Sequence, residues 1–180
     1  MKLFTAALLC FLVLSPHSLL AQEKTTPPAT DSVRTFVQGF YDWYAPRLAR
    51  DKNGSVYPRA LKEKASAFSP DLLQALKDDL AAQSRSKDEI VGLDFDPFLN
   101  SQDPAPIFKV GKITQGRDSY HVDVHAVSNG KPEPKPSVTA IVVNQKGQWI
   151  FADFHYPEGE NLLHLLRQYK NDREKPHPKQ

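Results

Sequence analysis

The spacing of apolar residues changes near Ile107, from intervals of three and four before it to a period of two that lasts to about Tyr156. Intervals of three and four place side chains on one stripe of a helix, and alternation places them on one face of a strand. Helices therefore come first and strands afterwards. That order predicts an α+β domain with an antiparallel sheet and excludes the helix-strand alternation of a parallel βαβ sheet.

The first helix is expected to begin after Thr30 or Asp31, and its stripe is Val33, Phe36, Val37, Phe40, Tyr44 and Leu48, widened by Tyr41 and Trp43. Asn53 and Gly54 end it, and Tyr57 with Pro58 opens a shorter helix through about Ala67. Ser69 and Pro70 form a cap and first-turn proline for a third helix, which carries Leu72, Leu73, Leu76 and Leu80 and frays near residues 84–86. Four strands follow, over residues 108–113, 119–127, 137–143 and 148–156. The short segments 116–118 and 144–147 predict hairpins, whereas the proline-rich stretch 129–136 reads as a longer connection. Leu162, Leu163, Leu165 and Leu166 predict a short C-terminal helix over residues 161–169.

The apolar run Leu3 to Leu14, behind a single Lys2 and ahead of a small-residue site at Ala21, reads as a cleaved secretory signal over residues 1–21. Bulky Leu8 and Leu9 before Cys10 argue against lipid attachment there. A mature chain starting near Gln22 would be periplasmic or secreted and would keep no integral membrane segment. It would also keep no thiol, because Cys10 is the only cysteine, so disulfides and cysteine-based zinc sites drop out. Residues 22–30 read as a flexible linker, residues 31–170 as one domain and residues 171–180 as a disordered tail. The formal charge is only +2, which leaves no strong global field to recruit nucleic acid or anionic lipid, so both are disfavoured as partners.

Three groups of residues invite a chemical reading. On the second strand, alternation sends His121, Asp123 and His125 to one face. Such spacing suits metal ligands or an acid/base pair, but a solvated polar face opposite the core has the same pattern and is preferred. On the last strand, Trp149, Phe151, Asp153 and His155 share a face by simple alternation, and both faces of the last two strands are substantially apolar. A sheet curved around a cavity accounts for this, with Asp153 and His155 joining His121 and Asp123 in a pocket walled in part by Tyr41 and Trp43. Finally, Asp94, Asp96, Asn100, Gln102 and Asp103 crowd a stretch that also holds Phe95, Phe98 and Leu99. Their density suggests calcium, but no central glycine or closing glutamate stands at the required offsets, so a structural loop anchored by its phenyl rings is favoured.

Taken together, Val33-Arg34, Phe36, the run Phe40-Tyr41-Asp42-Trp43-Tyr44, the block Asp94 to Asp103, and Gly147-Gln148-Trp149-Ile150 before Tyr156-Pro157 resemble an exported bacterial family. It is catalogued as domain-of-unknown-function family 3828, and the likeness spans about Asp31 to Lys170. The resemblance implies a nuclear-transport-factor-2-like, or cystatin-like, fold: helices packed on a strongly curved antiparallel four-stranded sheet that forms a cone. Some enzymes of that group use an aspartate or histidine inside the cone. None of His121, Asp123, Asp153 or His155 matches those positions residue by residue, so a fold is implied and a reaction is not.

No nucleophile elbow or glycine-rich phosphate loop is present. The expectation is therefore an exported, non-catalytic domain that binds a small molecule or an envelope protein through the sheet cavity, without a cofactor or resident metal. Catalytic residues are assigned to none of these positions. The alternatives are a cofactor-independent hydrolase, isomerase or dehydratase using the His/Asp group, and an envelope-complex or immunity-type partner. The open sheet face also allows a homodimer.

Overall fold

The computed structural model describes residues 29–175 except 52, 55 and 87–90. The proposed signal, most of the linker and residues 176–180 lie outside the described residues. Helix α1 (Ala29–Leu48) starts two residues before Asp31, so the end of the supposed linker is already helical. It buries Val33, Val37, Phe40, Tyr41, Tyr44 and Ala45 on one stripe. The Asp51 carboxylate accepts the amides of Asn53 and Val56 and so starts α2 (Val56–Glu63), after which a single tight turn covers Ala65–Ala67. Ser69 caps α3 (Pro70–Arg85) as its sequence indicates, accepting the Leu72 amide with Pro70 in the first turn.

Five strands form one open antiparallel sheet: β1 (Phe108–Gln115), β2 (Tyr120–Ser128), β3 (Lys131–Pro132), β4 (Val138–Gln145) and β5 (Gln148–His155). The order is β1-β2-β4-β5, and two-residue β3 pairs with the end of β2. The fifth strand falls in the segment expected to be a plain connection. Its pairing is backbone-driven and leaves Lys131 and Pro132 exposed, so no apolar alternation announces it. Between β4 and β5, Lys146 and Gly147 both have positive φ (53° and 84°), the backbone required of a two-residue hairpin that matches strand twist. Helix α4 (Leu162–Glu174) is capped by Asn161 and runs past the predicted end into the segment expected to be a loose tail.

All four helices contribute to one core that also contains Val122, Val124, Val138, Ala140, Val142, Phe151 and Phe154 from the sheet, so they cover a single sheet face. The space between helices and sheet is filled by rings. Phe98 is fully buried, with Phe40, Tyr44, Phe68 and Phe154 around it at centroid distances of 5.2–5.4 Å. The hollow expected inside a cone is thus a packed aromatic core. Edge strand β5 is blocked by Phe68, whose segment bridges Phe151, and by Asn161, which bridges His155.

The long connection between α3 and β1 is locked by one buried charge. Asp79 is fully buried, and it accepts hydrogen bonds from Arg173, Gln83 and the Leu93 amide. Arg173 also donates to the Val91 carbonyl at 2.6 Å, which ties α4 to the same segment. Gly92 is needed there, because a Cβ would stand 2.4 Å from an Asp79 oxygen.

Candidate functional site

Strand β5 departs from simple alternation. Ile141 pairs with Asp153 and the next residue, Val142, with Phe151, so Ala152 is an extra residue in a β-bulge. The bulge inverts the phase of the strand: Phe151 and Phe154 both enter the core, while Ile150 and Ile141 are buried outside the core cluster. Trp149 and Phe151 therefore do not share a face with Asp153 and His155, contrary to alternation. Trp149 packs edge-on against Tyr120 at 5.4 Å and donates to Ser32 of α1. Tyr41 is likewise core, and Trp43 is a half-buried surface ring between Arg47 and Lys64, at 5.0 and 5.1 Å. The expected pocket residues separate into an inner and an outer set.

The outer set does come together. Register places His121, Ile141 and Asp153 in one cross-strand row and Asp123, Thr139 and His155 in the next. The His121 and His155 rings meet edge to face at 6.1 Å, His155 Nε2 lies 3.7 Å from Asp153 Oδ2, and Thr139 donates to Asp123 at 3.0 Å. Asp153 also accepts the amides of Phe154 and Leu163 and so helps to start α4; burial raises its pKa against those bonds. His125 stands apart, bonded to the Glu133 carbonyl at 2.8 Å and lying against Gly111. This face is opposite the helices. The second apolar side of the last strands is accordingly a small patch of Ile141, Val143 and Ile150, and among the described residues the helical core covers only the other side.

The acidic stretch builds a different feature. Asp94, Asp96, Gln102 and Asp103 line an open cleft of about 880 Å³ together with Phe95, Tyr57 and Leu48. Its floor is fixed by three tyrosines. Tyr41 donates to the Phe98 carbonyl at 2.9 Å, Tyr156 to the Pro97 carbonyl at 3.0 Å, and Tyr44 to Asp96 Oδ2. The other Asp96 oxygen accepts the Phe98 and Leu99 amides, capping a turn that places Asn100 at φ 50° and out of the cleft wall. Asp96 is thus a structural carboxylate, in line with the loop reading. Burial raises its carboxyl to about 6 despite the opposing bonds from Tyr44 and the two amides, and it pushes the Tyr44 hydroxyl far up.

Asp94 and Asp103 are less constrained: Asp94 accepts a long bond from Gln102 at 3.4 Å, and the Asp103 amide donates to Ser101. Asp51, Asp94, Asp96 and Asp103 all line the cleft, and among the described residues no lysine or arginine does. Phe95 forms one wall and packs edge-on against Tyr156 at 5.4 Å. Sequence reasoning missed the tyrosine clamp. Its trace in the sequence is the presence of Tyr41 and Tyr44 on an apolar stripe, since a buried phenol needs a hydrogen-bond acceptor.

Among the described residues, no three His, Cys, Asp or Glu side chains are placed to hold a metal ion, and no helix is long and apolar enough to cross a membrane. Comparison with protein-family models, with curated proteins and with solved structures finds no match to this chain.

Proposed function

We propose that this chain is an exported envelope domain of the domain-of-unknown-function 3828, nuclear-transport-factor-2-like kind that binds a small ligand without catalysing a reaction. The N-terminal apolar run Leu3–Leu14 ahead of Ala21 supports export to the periplasm or beyond. The binding site moves from the interior of the fold, which is occupied by rings, to the cleft beside the acidic loop. One observation carries this reading: an open cleft of about 880 Å³ in which the apolar side chains of Leu48, Leu93 and Phe95 stand beside the carboxylates of Asp94 and Asp103. Its volume is that of a small-molecule site. Aromatic faces and aspartates together suit a ligand with an apolar body and an amine.

The His/Asp group on the sheet favours binding over turnover for a related reason. Its side chains converge but stand on an open face, and an acid/base site gains its strength from water exclusion. His121 is exposed, and the Asp123 and Asp153 oxygens already hold Thr139 and two backbone amides.

Titration of the isotope-labelled protein with benzylamine tests both points by amide shifts. Saturable shifts at Phe95 and residues 101–103, weakened by D94N and D103N together, are expected. Shifts confined to β2, β4 and β5 would move the site to the outer sheet face. Turnover of any ester or enone substrate that alanine at His121, Asp123, Asp153 and His155 abolishes would establish the acid/base alternative instead.

A further inference from the structure

At the junction of α1 and α2, on the other side of the Asp51 segment from the acidic cleft, Arg47, Arg50 and Arg59 line a hollow of about 480 Å³ with Val56 and Asp51. We propose that this hollow binds a phosphate group, either free or at the head of a lipid. The three guanidinium groups come from the end of α1, the turn after it and α2, and two of them are held in place from behind. Arg47 donates to the Trp43 carbonyl at 2.6 Å while lying over the Trp43 ring, and Arg50 Nε donates to the Pro46 carbonyl at 2.8 Å. Arg59 has Glu63 at 3.9 Å, beyond hydrogen-bond length and between two exposed side chains.

Each guanidinium has five N–H donors, and these contacts use few of them. The remaining donors suit the oxygens of a phosphate, which arginine forks engage in pairs. Like charges gathered around one hollow repel, and a multiply charged anion removes that repulsion. The field at the C-terminal end of α1 accounts for cations at Arg47 and Arg50, but not for Arg59, which reaches the hollow from α2. Asp51 is the only described carboxylate in the wall, and its two oxygens accept the Asn53 and Val56 amides. The hollow is larger than one phosphate, which leaves room for a substituent, and Arg47 in its wall shares the Trp43 ring with Lys64.

The test is calorimetric titration of the full protein with inorganic phosphate, alongside flotation with phosphatidylglycerol and with phosphatidylcholine vesicles. Saturable phosphate binding, or flotation with the anionic vesicles only, supports the proposal and identifies which source is used. The surface substitutions R50Q and R59Q are expected to weaken that binding about tenfold each with no change in the thermal midpoint. R50K and R59K should fall closer to the glutamine variants than to the parent, because the fork and not the charge alone is required. Absence of binding in both assays, or full binding by the glutamine variants, would overturn it. The outcome is independent of the acidic cleft, since D94N and D103N leave all three arginines in place.

Discussion

Asp96 and Asp123 carry the same carboxylate, both drew attention as candidate ligands and both are partly exposed, yet one is a strut held by a buried phenol and two amides and the other a sheet-surface group held by one hydroxyl. Asp96 lies under α1 with Tyr44 and two backbone amides on its oxygens, and Phe98, two residues on, is the centre of the aromatic core. Asp123 stands on the outer face of the sheet with Thr139 as its partner, in the row beside His121. The difference shows that the cost of removing a polar group follows from where its partners are left. A buried donor without an acceptor loses a hydrogen bond that water cannot replace, whereas on an open face water takes the vacancy.

The largest effect that would break this contrast is at Phe98. F98A should destabilise the protein by about 3–5 kcal/mol in chemical denaturation, because it opens a cavity among four rings. A loss under about 1 kcal/mol would mean that the acidic loop is not anchored through its ring.

Next in size is the response to pH. Because the folded carboxyl of Asp96 is raised to about 6 above its ordinary value, the folded state takes up a proton before the unfolded chain does. Stability should therefore rise as pH falls from 7 through 6 and level off near the ordinary aspartate pKa, by about 3 kcal/mol if Asp96 acts alone. Asp153 is shifted in the same direction and adds to the trend, whereas Asp78, hydrogen-bonded to Gln74 and Lys170, is lowered and opposes it weakly. Denaturation midpoints at pH 7, 6 and 5 check the sign, and D96N should remove most of the slope. A slope that survives D96N would shift the effect to Asp153 and dissolve the distinction between the loop carboxylate and those of the sheet.

Smaller again is Y44F, which leaves the Asp96 carboxylate without its phenol donor and should cost about 1–2 kcal/mol. The smallest effect sharpens the other side of the comparison: H121A combined with H155A should change stability by no more than about 0.5 kcal/mol, since their rings meet at a solvated edge. A larger loss in that pair would show that the outer face is a packed layer.

Much of the architecture was legible because it depends on neighbours in sequence. The Ser69-Pro70 cap, the stripe from Val33 to Tyr44 and the Lys146-Gly147 hairpin each rest on contacts within a few residues. The anchoring of the acidic stretch by Phe98 was also legible, as a large apolar ring in a polar segment has to be buried somewhere. The meeting of His121 with His155 followed from alternation only in part, because register between β2, β4 and β5 is a non-local property.

What the sequence by itself determined is the class of fold: one switch of apolar period sets helices before an antiparallel sheet, and a closing leucine cluster adds the last helix. Which groups face inward was decided only by tertiary structure. A single extra residue, Ala152, turned Phe151 and Asp153 to opposite faces, and three tyrosines from α1 and the end of β5 converted an acidic loop into the floor of a cleft. The physical reason is range: periodicity is set by backbone geometry over one or two turns, whereas a bulge is fixed by register with the neighbouring strand and the tyrosine hydrogen bonds by partners more than fifty residues away.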